Sequence, residues 1–256
     1  MKTDILDTLE YSRNLIISPD MDGFMTAKLI ERFNGSKIVG SYDKNILCLA
    51  DGIDPEKCLF VDCDMNRQEY VSLGNHMRLI EDGMSFESFN PNVHFGVTTY
   101  SDKFPFATAF LISFATEVQT SEQDLIRMAF ADSTLKNMEK YSDNMRNWST
   151  RMDHPAIKYI IDNSDIARDN DKQARFEYVE QSFTSKRYGK ERYLNTLNTA
   201  LEAQQMSFEP LVQGVKYMAD KVGQNTLVRY QKDIISYAEI FTDEYSVTYD
   251  QEIEWK

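Results

Sequence analysis

The chain has 256 residues, a net charge of −13 and 42% hydrophobic residues. That length holds one large domain or two modest ones, and the apolar content supplies a real core. The charge argues against a nonspecific nucleic-acid coat and against an anionic membrane surface, although a bound metal inverts the local field for a nucleotide substrate. No apolar run approaches the roughly 18 residues of a membrane span, so no membrane partner is expected. Cys48, Cys58 and Cys63 have no metal-type spacing. Their odd number and the lack of a signal-peptide pattern lead to a reducing, cytoplasmic setting as the expectation.

In chain order, the apolar run Asn14–Ile17 reads as a short buried strand. Ser18-Pro19-Asp20-Met21-Asp22-Gly23 follows, and then Phe24, Ala27, Ile30 and Phe33 share one helical face before the stop signal Asn34-Gly35. Two carboxylates therefore emerge where a strand ends and a helix begins, the crevice where α/β sheets bind ligands. So close a pair calls for a divalent cation, but Asp at a helix start is also an ordinary N-cap, and both readings stay open at this hexapeptide. Further strands are expected at Lys37–Gly40, Ile46–Ala50, Cys58–Val61 and Tyr70–Leu73, a turn at Asn90-Pro91-Asn92, and a buried helix over Phe106–Val118. Thr120-Ser121-Glu122-Gln123 matches a capping box that opens another helix.

Beyond residue 150 the segments Pro155–Asn163, Asp171–Phe183, Glu191–Gln204, Pro210–Val222 and Asn225–Phe241 read as helical, with Leu211, Val215, Met218 and Val222 on one stripe. Tyr245–Lys256 alternates weakly, as a terminal strand or a tail would. The fold class expected is α/β, with a parallel-sheet domain over 1–150 and a mostly helical region over 151–256. That helical half would either cover the cleft or pair with another copy of the chain.

Three more polar signals follow apolar runs: Asp62 after Leu59-Phe60-Val61, His76 in Gly74-Asn75-His76-Met77, and Asp132 in Phe130-Ala131-Asp132-Ser133-Thr134. Each alone is an ordinary strand-edge, structural or capping residue. Taken in order with Asp20 and Asp22, they resemble the four motifs of the DHH phosphoesterase superfamily over roughly residues 14–135. That superfamily includes family II inorganic pyrophosphatases, single-strand-specific exonucleases, oligoribonucleases and cyclic-dinucleotide phosphodiesterases. Asn90-Pro91 looks like the Asn-Pro of the exonuclease branch.

The resemblance implies two cation sites for Mn²⁺ or Mg²⁺. Asp22, Asp62, His76 and Asp132 would hold the better-kept one; Asp20 and Asp62 would remain at the other, where Ile16 stands in place of a histidine. Met77 replaces the histidine that contacts phosphate, with Asn75 and Arg78 as substitutes nearby. Lys186-Arg187-Tyr188-Gly189-Lys190-Glu191-Arg192-Tyr193 reads as a phosphate- and base-holding cluster or as a solvated helix–turn. Two further departures are the missing Gly-rich run ending in His, and the short interval from Asp62 to His76, which has no room for a helical crossover. The implied activity is hydrolysis of a phosphodiester or phosphoanhydride in a nucleotide or short single-stranded oligonucleotide. The alternatives are a catalytically impaired binding or scaffold protein of nucleic-acid metabolism, and a plain α/β domain with chance acids.

Overall fold

A computed structural model describes residues 1–78, 83–134, 138, 140–164, 184–206 and 215–249. The chain opens with α1 (Lys2–Glu10) and then lays down β1 (Asn14–Ile17), α2 (Met21–Asn34), β2 (Lys37–Tyr42), β3 (Ile46–Leu49), β4 (Leu59–Val61) and β5 (Val71–Leu73). Helices α3 (Pro91–His94), α4 (Thr108–Thr116), α5 (Glu122–Phe130), α6 (Ser142–Met152), α7 (Pro155–Asp162), α8 (Ser185–Tyr188) and α9 (Lys190–Ala203) follow. The chain then adds β6 (Val215–Lys216), β7 (Met218–Gly223), α10 (Gln224–Arg229), β8 (Ile234–Phe241) and β9 (Glu244–Tyr249). No helix among the described residues is long and apolar enough to cross a membrane.

The mixed α/β expectation holds. The main sheet has six strands in the order β5-β4-β1-β2-β3-β6. Strands β2, β1, β4 and β5 run parallel, whereas β3 and β6 join antiparallel at one side. Strand β1 coincides with its predicted range, and α2 ends at Gly35, whose φ of 76° is the left-handed conformation that a residue without a Cβ adopts freely. Because the chain leaves β1 for β2 on one side and returns to β4 on the other, the β1/β4 boundary is the topological switch point of the sheet. The short β4–β5 connection is irregular rather than helical, which accounts for the tight interval before His76. Asn90 caps α3, accepting from the Asn92 and Val93 amides, so the expected turn is a helix start. Ser121 caps α5 by accepting from Asp124 N, one residue along from the expected box.

One large apolar core unites residues from Ile5 to Met206. Phe24, Ile30, Phe110, Trp148, Ile157, Tyr193 and Leu197 are all buried in it, so α6, α7 and α9 share one core with the helices that precede them.

The C-terminal expectation needs correction. Pro155–Asn163 and Glu191–Gln204 are helical apart from their end residues. The described parts of Pro210–Val222 and Asn225–Phe241, however, form β6, β7, the short α10 and β8. With β9 from the expected terminal segment, β7 and β8 build an antiparallel sheet ordered β7-β9-β8. The expected helix Asp171–Phe183, Leu211 of the stripe, and the end beyond Tyr249 lie outside the described residues. The sheet is stitched to the loop after β4, where Met65 bridges Ser236 and Asn66 N donates to Ile235 O at 2.6 Å, and to the end of β2, where the Tyr42 and Ser236 hydroxyls meet at 2.5 Å.

Candidate metal centre

The two parallel strands β1 and β4 end at the same edge, and Ser18 N donates to Val61 O across them at 3.0 Å. The chain must then turn at once into α2. A Cβ on Gly23 would sit 1.9 Å from the Ser18 carbonyl oxygen, so only glycine permits that close approach. Asp20 is the N-cap: one carboxylate oxygen accepts from Gly23 N at 3.0 Å, the other from Ser18 Oγ at 2.7 Å. The capping reading is therefore correct for Asp20, which still lies beside the other acids.

Asp22 lies in the first turn of α2 and is 0% exposed. Its carboxylate faces the start of α4, whose own N-cap, Ala107, has no side chain to offer. Thr108 N donates to Oδ2 at 2.6 Å, and Ala109 N and Thr26 Oγ1 donate to Oδ1 at 3.0 and 3.1 Å. Asp22 thus caps a second helix across the fold, where the helix dipole favours negative charge. Asp62 follows β4 in the left-handed conformation (φ 56°), which Asp tolerates better than most residues, and its Oδ1 accepts from Thr108 Oγ1 at 2.9 Å. Asp132, also left-handed at φ 51°, sits on the turn after α5 and accepts from Asn75 Nδ2 at 2.7 Å.

One ligand-type atom from each of Asp22, Asp62 and Asp132 lies within 4.8 Å of the others. Among the described residues no lysine, arginine or histidine forms an ion pair with Asp20, Asp22, Asp62 or Asp132. Burial, followed by the charges of Asp132 and Asp20, pushes Asp22 up to about 8. Burial and its acidic neighbours raise Asp62 well above the usual carboxylate range, and burial with Asp132 raises Asp20. This donor set fits a hard divalent cation. A carboxylate has about four lone-pair sites, and three donors at Asp22 and one each at Asp62 and Asp132 leave oxygen acceptors over.

The other predicted residues divide. His76 stands outside the aspartate trio; its Nδ1 pairs instead with Asp64 Oδ2 at 2.8 Å. Burial alone would raise Asp64, but the His76 hydrogen bond and charge, Arg78 and Asn90 outweigh it and hold Asp64 below the usual carboxylate range. Asn75 Nδ2 donates to Asp132 Oδ2 at 2.7 Å and to Phe106 O at 3.0 Å, and Asn75 does not line the cleft that opens over this edge. Arg78 is buried, donates to Met65 O and Asn66 Oδ1, and lies 5.0 Å from the Tyr237 ring centre. It anchors the C-terminal sheet and does not line the cleft. Ile16 is core, packed with Phe60 and Cys63, and Met77 is fully buried.

A cleft of about 620 Å³ opens over this edge, between the strand ends and the C-terminal sheet. Asp20, Asp62 and His76 line its floor, with Lys44, Lys186 and Lys221 contributed from three other elements. Arg187 and Lys190 do not line it; the Arg187 guanidinium sits 5.4 Å from the Tyr188 ring centre. Sequence reasoning missed Thr108, Asp64 and Lys44. Thr108 carries no local signal, because its part is played by a helix start some 86 residues from Asp22. Comparison with protein-family models, curated proteins and solved structures returns no match for the chain.

Proposed function

We propose that the protein is a Mn²⁺- or Mg²⁺-dependent phosphoesterase acting on a phosphodiester or phosphoanhydride of a nucleotide or short single-stranded oligonucleotide. The observation that carries this reading is the convergence of buried Asp22 and Asp62 with exposed Asp132, without a cationic partner among the described residues, at the switch point of the sheet beside a ligand-sized cleft. The order of the motifs, which resembles DHH phosphoesterases, agrees with it. Asp22, Asp62 and Asp132 would hold the cation, with Asp20 adjacent. Bound there, a divalent cation supplies Lewis-acid polarisation of a phosphoryl oxygen and acidifies water.

The chain's own residues do the rest. Thr108 fixes Asp22 through its amide and Asp62 through its hydroxyl, so one residue sets the spacing of two donors. Asn75 holds Asp132 through its side-chain amide. Lys44 and Lys186 line the cleft without a carboxylate partner among the described residues, and so offer charge to a substrate phosphate. Such an arrangement binds a phosphate ester between cation and lysines, and positioning of that kind supplies most of the catalysis in phosphoryl transfer.

The test is Mn²⁺-dependent hydrolysis of bis(4-nitrophenyl) phosphate and of short oligonucleotides, with Asp22→Ala and Asp62→Ala as controls. Turnover by the wild type that both substitutions abolish is the expected result. Turnover that survives both refutes the assignment, and tight oligonucleotide binding without turnover moves the protein to the binding-module alternative.

A further inference from the structure

The geometry points to His76 as the proton donor to the leaving-group oxygen and to Asp64 as its positioning residue, an inference that rests on the phosphoesterase reading. His76 lines the cleft together with Asp20 and Asp62, its side chain is 27% exposed, and it stands outside the aspartate trio. A histidine in that place faces the cleft that a substrate would enter and is not one of the three carboxylates that would hold the cation. Its imidazole is also fixed. Nδ1 and the His76 backbone amide both bind Asp64 Oδ2, at 2.8 and 3.2 Å. Asn90 Nδ2 binds Asp64 Oδ1 at 2.6 Å and the His76 carbonyl at 2.8 Å. Asn92 Nδ2 grips the Asn75 carbonyl at 2.7 Å, one residue before the histidine. Gly74 lets the Asp64 carboxylate close against the backbone, since a Cβ there would lie 2.5 Å from it.

A carboxylate on Nδ1 keeps that nitrogen protonated, so the exchangeable position is Nε2, for which the described residues supply no hydrogen-bond partner. The arrangement is that of a base held by a third group, the geometry shared by acid–base dyads and triads. In the step assigned to it, water adds to phosphorus and the bond from phosphorus to the leaving oxygen breaks. The Nε2 proton goes to that oxygen, which departs as the alcohol. The attacking water releases one proton to solvent, and solvent reprotonates Nε2, so the cycle consumes one water.

Leaving groups tell this role apart from cation ligation. A 4-nitrophenolate departs without protonation; a sugar alkoxide does not. With Mn²⁺ saturating, His76→Gln is expected to lower kcat on the dinucleotide pTpT by about 100-fold, the low end for acid–base catalysis, with KM little changed. The same variant should hydrolyse bis(4-nitrophenyl) phosphate within about threefold of wild type and bind Mn²⁺ with unchanged affinity, since acid catalysis is not needed for that ester. Free imidazole should restore pTpT cleavage to His76→Ala, and Asp64→Asn should show the same substrate bias in weaker form. An equal loss on both esters with weakened Mn²⁺ binding makes His76 a ligand and overturns the inference, as does a variant unchanged on both. A wild type inactive on both esters with Mn²⁺ present sinks the phosphoesterase reading itself, and the inference with it.

Discussion

Asp124, on the face of α5 that meets α2, and Asp22, in the first turn of α2 itself, are both almost wholly withdrawn from water, yet their surroundings are opposite. The Asp124 carboxylate, 3% exposed, receives Arg32 at 3.0 Å and Lys28 at 3.6 Å. Burial works against its charge, but those two cations prevail and hold it below the usual carboxylate range. Asp22 receives only neutral amides and a hydroxyl, and two further acids face it. Among the described residues, then, a counter-charge accompanies the aspartate that staples two helices and none accompanies the cluster at the switch point. A carboxylate cluster that the chain leaves uncompensated is stable as a set of anions only with a cation from outside. The contrast is what separates an acid that staples helices from the acids proposed to hold a cation.

The sharpest way to break the contrast is to remove one charge from the cluster. Asp62→Asn preserves the left-handed backbone, since Asn also tolerates it, and should cut Mn²⁺-dependent turnover by more than about 100-fold, beyond what losing an outer partner costs. Thr108→Val leaves the Asp22 amide contact but removes the hydroxyl from Asp62, and should weaken Mn²⁺ binding about 10-fold in a titration. If Thr108→Val binds Mn²⁺ as wild type does, Thr108 does not set the donor spacing.

The pH dependence sharpens the same contrast. Asp22 is raised in the folded state from 3.8 to about 8, so the folded protein holds more protons than the unfolded one between those values. Stability of the cation-free protein should then fall as pH rises across that window, having been full below it. Urea unfolding at pH 5 and pH 8 with a chelator reads the slope, and Mn²⁺ should stabilise more at pH 8 than at pH 5. Asp124→Asn is the complementary case: about 1–2 kcal/mol of stability lost, because Arg32 is 39% exposed and partly screened, with Mn²⁺ affinity intact. The smallest effect is expected for Lys186→Ala, which should raise KM for an oligonucleotide by up to about fivefold, the worth of one solvated charge, and leave kcat alone.

Much of the first half was legible because local and global signals agree there. Leu15-Ile16-Ile17 is bounded by a polar start and by Ser18-Pro19, and Gly35 ends α2 in the left-handed conformation that glycine adopts freely. The second half misled for a physical reason. Met218 and Val222 are four apart, which places them on one face of a helix and equally on one face of a strand, and β7 is too exposed to show the alternation that would decide. Ile234 to Phe241 is rich in branched and aromatic residues, which favour strands, but the short helix Gln224–Arg229 and a turn precede it and mask the change. At the site, Asp20 and Asp22 were visible because they stand between an apolar strand and an amphipathic helix, and Asp62 and Asp132 because each follows an apolar run. The place of His76 was not, because its partner Asp64 reads as one more acid beside Asp62, and only the folded loop joins them.

The most direct test of the central claim is calorimetric titration of Mn²⁺ into chelator-treated wild type and Asp62→Asn at pH 7, in two buffers of different ionisation heat. Saturable binding by the wild type that releases protons, because Asp22 at about 8 must give one up, and its loss in the variant are the predicted results. No binding by the wild type, or equal binding by the variant, would contradict the account.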